Sequence, residues 1–154
     1  STSFKDAGEA ALTTLRNEFL KPRDHLFVHR WFDLELQAML GIDVYDTPFP
    51  REQGYELYEN SFARVLVYRF EALGQLPSML SKLLGGPVPK LVSRNMAETK
   101  EYADAYQRVK EQLRLPADFV HAQCQCRPMR HFYSEAERRS LESRWTETPA
   151  VRGL

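Results

Sequence analysis

Apolar residues recur at helical spacing from about Phe4 to Leu20, through Ala11, Leu12, Leu15 and Phe19. Lys21-Pro22 ends that helix, because proline restricts its predecessor and cannot continue the hydrogen-bond ladder. A second helix is predicted from about Asp24. It carries Phe27, Val28, Trp31 and Leu34 on one side and Phe32, Leu36, Met39 and Leu40 on the other, so it is expected to be largely buried. Gly41 is placed to cap it in the left-handed conformation. The prolines, glycine and charges between Ile42 and Tyr55 read as a loop. Two β-rich runs follow, at about 54–59 and 63–70. The second (Val65, Leu66, Val67, Tyr68) is apolar without a break, as in a strand covered on both faces in a parallel or mixed sheet. Glu59-Asn60 leading into it leaves a hairpin as the other arrangement.

Helical spacing returns from Leu73 to Leu84, with Pro77 in the first turn and Gly85-Gly86 as the stop. Asn95 with Glu98 opens a helix that carries Tyr102, Tyr106, Val109 and Leu113. Ser134 with Glu137 forms a capping box for a last helix through Leu141 and Trp145. The pattern is α/β, mostly helical, with one or two short strands and few neighbours for them. We therefore expect residues 1–154 to be a single domain, or the C-terminal part of a larger one, without an internal boundary.

Composition narrows the classes. With 43% hydrophobic and 27% charged residues in 154, the chain is globular rather than disordered. Twenty-one basic residues balance twenty-one acidic ones, so no global field draws the chain to nucleic acid. No apolar run approaches the ~20 residues of a membrane span, and no signal peptide is legible. A start at Ser1 rather than Met suggests a processed product or a piece of something longer. Cys124 and Cys126 are too close for an unstrained disulfide and are expected to be reduced, in keeping with a cytoplasmic setting.

The candidate chemistry is sparse. Gly85-Gly86-Pro87-Val88 lacks the Lys-Ser/Thr of a phosphate loop and follows a helix. His121, Cys124, Cys126 and His131 have the residue types of a tetrahedral zinc site in an unusual spacing; two surface histidines and two loop thiols are the plainer alternative, and no metal is assigned. His25 and His29 would share one helix face, yet no third ligand or nucleophile motif accompanies them. Lys90, Ser93, Arg94, Asn95 and Lys100 gather at a predicted helix start, where backbone donors and cations suit an anion; a capped helix with solvated basic residues is the plainer alternative.

The runs WFDLELQAMLGIDVYDTPFPREQGY, VLVYRFEAL, LLGG, NMAETKEYADAY and HFYSEAERRSLESRW together resemble the capsular polysaccharide synthesis family of sulfotransferase-like proteins, from about Val28 to Trp145. The resemblance implies a P-loop-type α/β fold that transfers sulfuryl from 3′-phosphoadenosine 5′-phosphosulfate to a carbohydrate hydroxyl. With it go cofactor contacts at Arg94, Asn95 and Lys100. Asp43, Tyr45 and Phe49 sit in a long polar loop before the strands, where acceptor-pocket roles and anchoring of the loop by buried Tyr and Phe are both open. The family's N-terminal half, with its phosphosulfate loop, has no counterpart here. The chain is thus expected to be the C-terminal portion of such an enzyme, binding the cofactor poorly alone and pairing with the missing half or with itself. HFYSEAERRSLESRW reads as structural. The competing classes are a non-catalytic helical interaction module and a small zinc-binding protein.

Overall fold

The computed structural model describes residues 2–21, 25, 27–88 and 103–147, with backbone alone at 2–9 and 105. Its elements are α1 (Thr2–Phe19), α2 (Phe27–Trp31), a π-helical stretch (Phe32–Gln37), α3 (Ala38–Leu40), β1 (Tyr55–Glu59), β2 (Arg64–Tyr68), a 3₁₀ turn (Phe70–Gln75), α4 (Leu76–Leu84), α5 (Ala103–Gln112), α6 (Ala117–Cys124), α7 (Arg127–Phe132) and α8 (Glu135–Trp145). Mostly helical α/β architecture is therefore confirmed. The elements divide into two compact units. One contains α1, α5, α6 and α8 from Arg139 onward; the other contains α2 through α4, both strands, α7 and the first turn of α8.

In the unit built around the strands, β1 and β2 form an antiparallel hairpin with Tyr58 opposite Val65 and Tyr55 opposite Tyr68. Of the two arrangements that the sequence leaves open, a parallel or mixed sheet and a hairpin, the described residues form the hairpin. The unbroken apolar run has a different cause, visible in the period-two alternation of a strand. Tyr58, Val65 and Val67 pack on one cluster, with buried Leu36, Val44, Phe49 and Phe132. Tyr55 and Leu66 face the other way, toward Ala72 and Met79. Each face of the ribbon has its own core, which supplies the burial that an isolated two-stranded ribbon lacks.

Asn60 closes the hairpin. Its carboxamide oxygen accepts the N–H groups of Phe62 (3.1 Å) and Ala63 (3.0 Å), and its Nδ2 donates to the Leu40 carbonyl at 2.6 Å. The end of α3 is thereby tied to the turn. Gly41 follows at φ 64° and Gly85 at φ 71°, both left-handed caps as the sequence predicts. Gly54, at φ 78°, is a closer fit: a Cβ there would stand 2.9 Å from that of Ala72.

The second helix begins at Phe27 and is less buried than its composition suggests. Phe32, Leu36 and Leu40, four residues apart, pack on the first cluster. Val28, Leu34 and Met39 are exposed, at 62%, 48% and 70%. Phe32, Leu36 and Leu40 of one predicted stripe thus meet the core while its Met39 is exposed, as are Phe27, Val28, Trp31 and Leu34 of the other. His25 lies ahead of this helix, so the two histidines do not share a helix.

In the other unit, Leu115, Val120 and Cys124 form the core, with Leu20, Phe119, Leu141 and Trp145 against it. Phe19 meets Phe119 edge-to-face at 5.8 Å. The Leu115 N–H donates to the Trp145 carbonyl (2.8 Å) and the Glu147 N–H to the Leu115 carbonyl (3.1 Å), fastening the end of α8.

Candidate functional site

Two of the sequence runs that carry the family resemblance meet in the strand-containing unit. Asp43 opens the loop after α3 with an Asx turn: its Oδ1 accepts the Tyr45 N–H at 2.8 Å, and its Oδ2 accepts from Gln37 Nε2 at 3.3 Å. That turn presents the Tyr45 ring to α7. There it packs edge-on against His131 at 5.0 Å and lies under the Arg127 guanidinium, 3.8 Å from the ring centroid. Arg127 Nη1 is paired with Asp33 Oδ1 at 3.0 Å. Asp33 lies within the π-helical stretch, whose extra residue per turn re-aims its side chains and which recurs at functional positions in helices. Asp33, Asp43, Tyr45, Arg127 and His131 thus form one polar and aromatic group.

Phe49 lies beneath this group, buried at 6% exposure and edge-to-face on Phe132 at 4.8 Å. It anchors the loop from within the core. Arg51 completes the attachment, donating from Nε to the His131 carbonyl (3.1 Å) and from Nη2 to the Arg130 carbonyl (2.6 Å). These acceptors are the orphan carbonyls at the end of α7, where a cation is favoured.

Electrostatics set the protonation states. Burial, with Asp33 adding to it against the pull of Arg127, pushes the Tyr45 phenol up to about 12, so it is a donor at neutral pH. Burial lowers His131 below the usual histidine range; Arg51 and Arg127 push the same way, against a hydrogen bond to the Val44 backbone. His131 is therefore neutral near pH 7. Its Nε2 and the Tyr45 Oη are both buried without a hydrogen-bond partner. Two adjacent side chains thus carry unmet hydrogen-bonding capacity, a costly arrangement that a bound hydroxyl would relieve.

A second polar group supports the first. Ser134 and Glu137 form the predicted capping box, with Glu137 Oε2 accepting from the Ser134 N–H (2.8 Å) and hydroxyl (2.7 Å). Glu137 Oε1 meets Arg69 Nη2 at 2.5 Å, and the Arg69 guanidinium covers the Tyr133 ring at 4.4 Å. This joins the residue that follows β2 to α8.

Sequence reasoning placed Asp43, Tyr45 and Phe49 in one loop, and the structure keeps them together. It read HFYSEAERRSLESRW as structural; the capping box agrees, yet the same run also delivers His131 and Phe132 to the site. Arg127 and Arg51 were missed, since nothing in the spacing distinguishes them from solvated arginines. Arg94, Asn95 and Lys100, with the helix start predicted there, lie outside the described residues. Of the zinc-type residues, His121 pairs with Glu142 at 2.7 Å and Cys124 belongs to a hydrophobic core. Among the described residues, no group of three or more His, Cys, Asp or Glu is placed to hold a metal ion. No helix among them is long and apolar enough to cross a membrane.

No curated protein and no solved structure matches the chain. A family model does, over residues 11–134, under the description "Putative capsular polysaccharide synthesis protein". That span contains the Asp43 loop, the hairpin and all of α7, and on it the chain belongs to this capsular polysaccharide synthesis family.

Proposed function

We propose that this chain is the acceptor-holding, C-terminal portion of a sulfotransferase-like protein of capsular polysaccharide synthesis. The observation that carries the reading is the meeting of Asp43 and Tyr45 with His131 and Arg127 around two unpartnered polar atoms. Carboxylates that accept from sugar hydroxyls, an aromatic ring and an arginine are the chemistry that orients a saccharide. In sulfuryl transfer the acceptor oxygen bonds to sulfur as the bond to the phosphate oxygen breaks, and the hydroxyl proton leaves to a base. Tyr45 as donor and neutral His131 as acceptor suit that hydroxyl. The donor, 3′-phosphoadenosine 5′-phosphosulfate, would reach Arg94, Asn95 and Lys100 on its 3′-phosphate side, with its phosphosulfate loop supplied by the missing half.

Two titrations test the reading. Capsular oligosaccharides of defined composition should bind the chain saturably, and Tyr45→Ala and Asp43→Asn should each weaken them roughly tenfold, the worth of a lost hydrogen bond to a charged or buried partner. Absence of binding to the unaltered chain overturns the acceptor assignment. Thermal unfolding with 3′-phosphoadenosine 5′-phosphate tests the donor side: a ligand at about a hundred times its dissociation constant adds roughly 2.7 kcal/mol, several degrees for a chain of this size. A shift supports a nucleotide site at Arg94 and Lys100. A cooperative transition without a shift removes it from this chain.

A non-catalytic helical interaction module is the second reading, favoured by the outward-facing Val28, Leu34 and Met39. A monodisperse chain that binds neither saccharide nor nucleotide would select it.

A further inference from the structure

The unit containing α1 and α5 holds an open pocket of about 190 Å³, lined in part by Thr13 and Arg16 of α1, Gln112 and Arg114 at the end of α5, and Glu147. The first reading makes no use of it. Its charges are unequal: two guanidinium groups face one carboxylate. Arg16 Nη2 is held by Glu147 Oε1 at 2.6 Å, while Arg114 Nη1 is turned back on the neighbouring Leu113 carbonyl at 2.8 Å. The Arg16 Nε is buried and has no hydrogen-bond partner. A buried guanidinium N–H without an acceptor costs a large part of its hydration, and an oxygen anion entering the pocket would repay it. The Thr13 hydroxyl and the Gln112 carboxamide add neutral donors around the same opening.

The volume limits the ligand. It falls below the ~300 Å³ at which pockets for drug-sized ligands begin, so there is room for one charged group and at most the single ring bearing it. We propose that this pocket binds one oxyanion, a carboxylate or sulfate, carried on a saccharide residue. The oxyanion follows from Arg16 and Arg114; the saccharide rests on the carbohydrate reading of the chain given above. The pocket then reads the charge of a saccharide residue.

The test is calorimetric titration of the whole chain at low salt with sodium glucuronate, glucose 6-sulfate, inorganic sulfate and glucose. Both anionic sugars should saturate, more tightly than inorganic sulfate, and glucose should not bind. Arg114→Gln should weaken the anionic sugars roughly tenfold, as expected for a charge-assisted contact. Glu147→Gln frees Arg16 from its competing carboxylate and should tighten them several-fold, a gain that a purely structural ion pair would not produce. Far-UV circular dichroism checks that each variant is folded.

Failure of both sugars to saturate overturns the proposal, as does binding of glucose as tight as theirs. Unchanged affinity in both variants locates binding elsewhere and also overturns it. Inorganic sulfate binding as tightly as glucose 6-sulfate would overturn the saccharide part. Asp43→Asn separates the two sites: it should leave glucuronate binding unaltered while it weakens binding of the acceptor oligosaccharide.

Discussion

At the scale of single residues, most of the informative chemistry is a matter of which polar group meets which. Glu137 shows the balance. Burial works to raise its carboxyl, but the backbone and hydroxyl of Ser134, with Arg69, overcome it and hold it down at about 2. A carboxyl depressed on folding contributes stability that is complete above the ordinary range near pH 4–5 and is lost as pH falls toward about 2. The melting temperature should therefore drop over that interval, and Glu137→Gln should flatten the drop while lowering stability at pH 7 by about 1 kcal/mol through the lost charge-assisted contact with Arg69. His131 has the opposite charge and the same slope. Its pKa lies below the unfolded value of about 6.5, so protonation favours the unfolded chain. Stability from this source is present above about pH 6.5 and lost below it; His131→Gln should remove that slope in a melting series from about pH 7.5 to 5.

These partners were unequally legible beforehand. Ser134 and Glu137 are three residues apart, so a local rule finds them. Arg69 with Glu137 and Asp33 with Arg127 are far apart in the chain, and no spacing in one sequence announces such pairs.

At the scale of elements, periodicity located both strands and most of the helices but not α6 or α7, which lie in a stretch that reads as loop, and tertiary contacts decided the pairing. Residues 55–59 and 64–68 were readable as β, because β-branched and aromatic residues concentrate there. The unbroken apolar run was readable as burial on two faces. Its partner was not: a parallel neighbour and a hairpin with a cluster on each side put the same demand on Val65, Leu66 and Val67. Asn60 settles the matter through three side-chain hydrogen bonds. Asn60→Ala should cost about 1–2 kcal/mol in denaturant unfolding, with loss of both the turn and the link to α3. The π-helical stretch left no mark in the pattern, since Phe32, Leu36 and Leu40 keep ordinary helical spacing across it.

At the scale of the whole molecule, hydrophobic content did not predict exposure. Met79 is fully buried, whereas Phe70 stands 79% exposed and Phe62 70%. Met79→Ala should cost about 2–4 kcal/mol as a cavity-forming change. Phe62→Ser and Phe70→Ser should each stay within about 0.5 kcal/mol, as substitutions at surface sites do. Equal losses at all three positions in chemical denaturation would mean that the exposed rings are covered in solution.

The sequence by itself determined the α/β class, the caps at Gly41, Gly85 and Ser134, the loop holding Asp43, Tyr45 and Phe49, and a family membership extending over most of the chain. All of these rest on local physics (propensity, periodicity, φ and short-range hydrogen bonds) or on a pattern of residues read in order. The tertiary structure alone decided that the hairpin is antiparallel, that Phe49 is an anchor within the core, and that Arg127 and His131 stand beside Tyr45. It also decided which of two equally apolar helix stripes meets the core. Each of these is a contact between residues distant in the chain, set by how clusters fill space and by where a buried charge finds its partner.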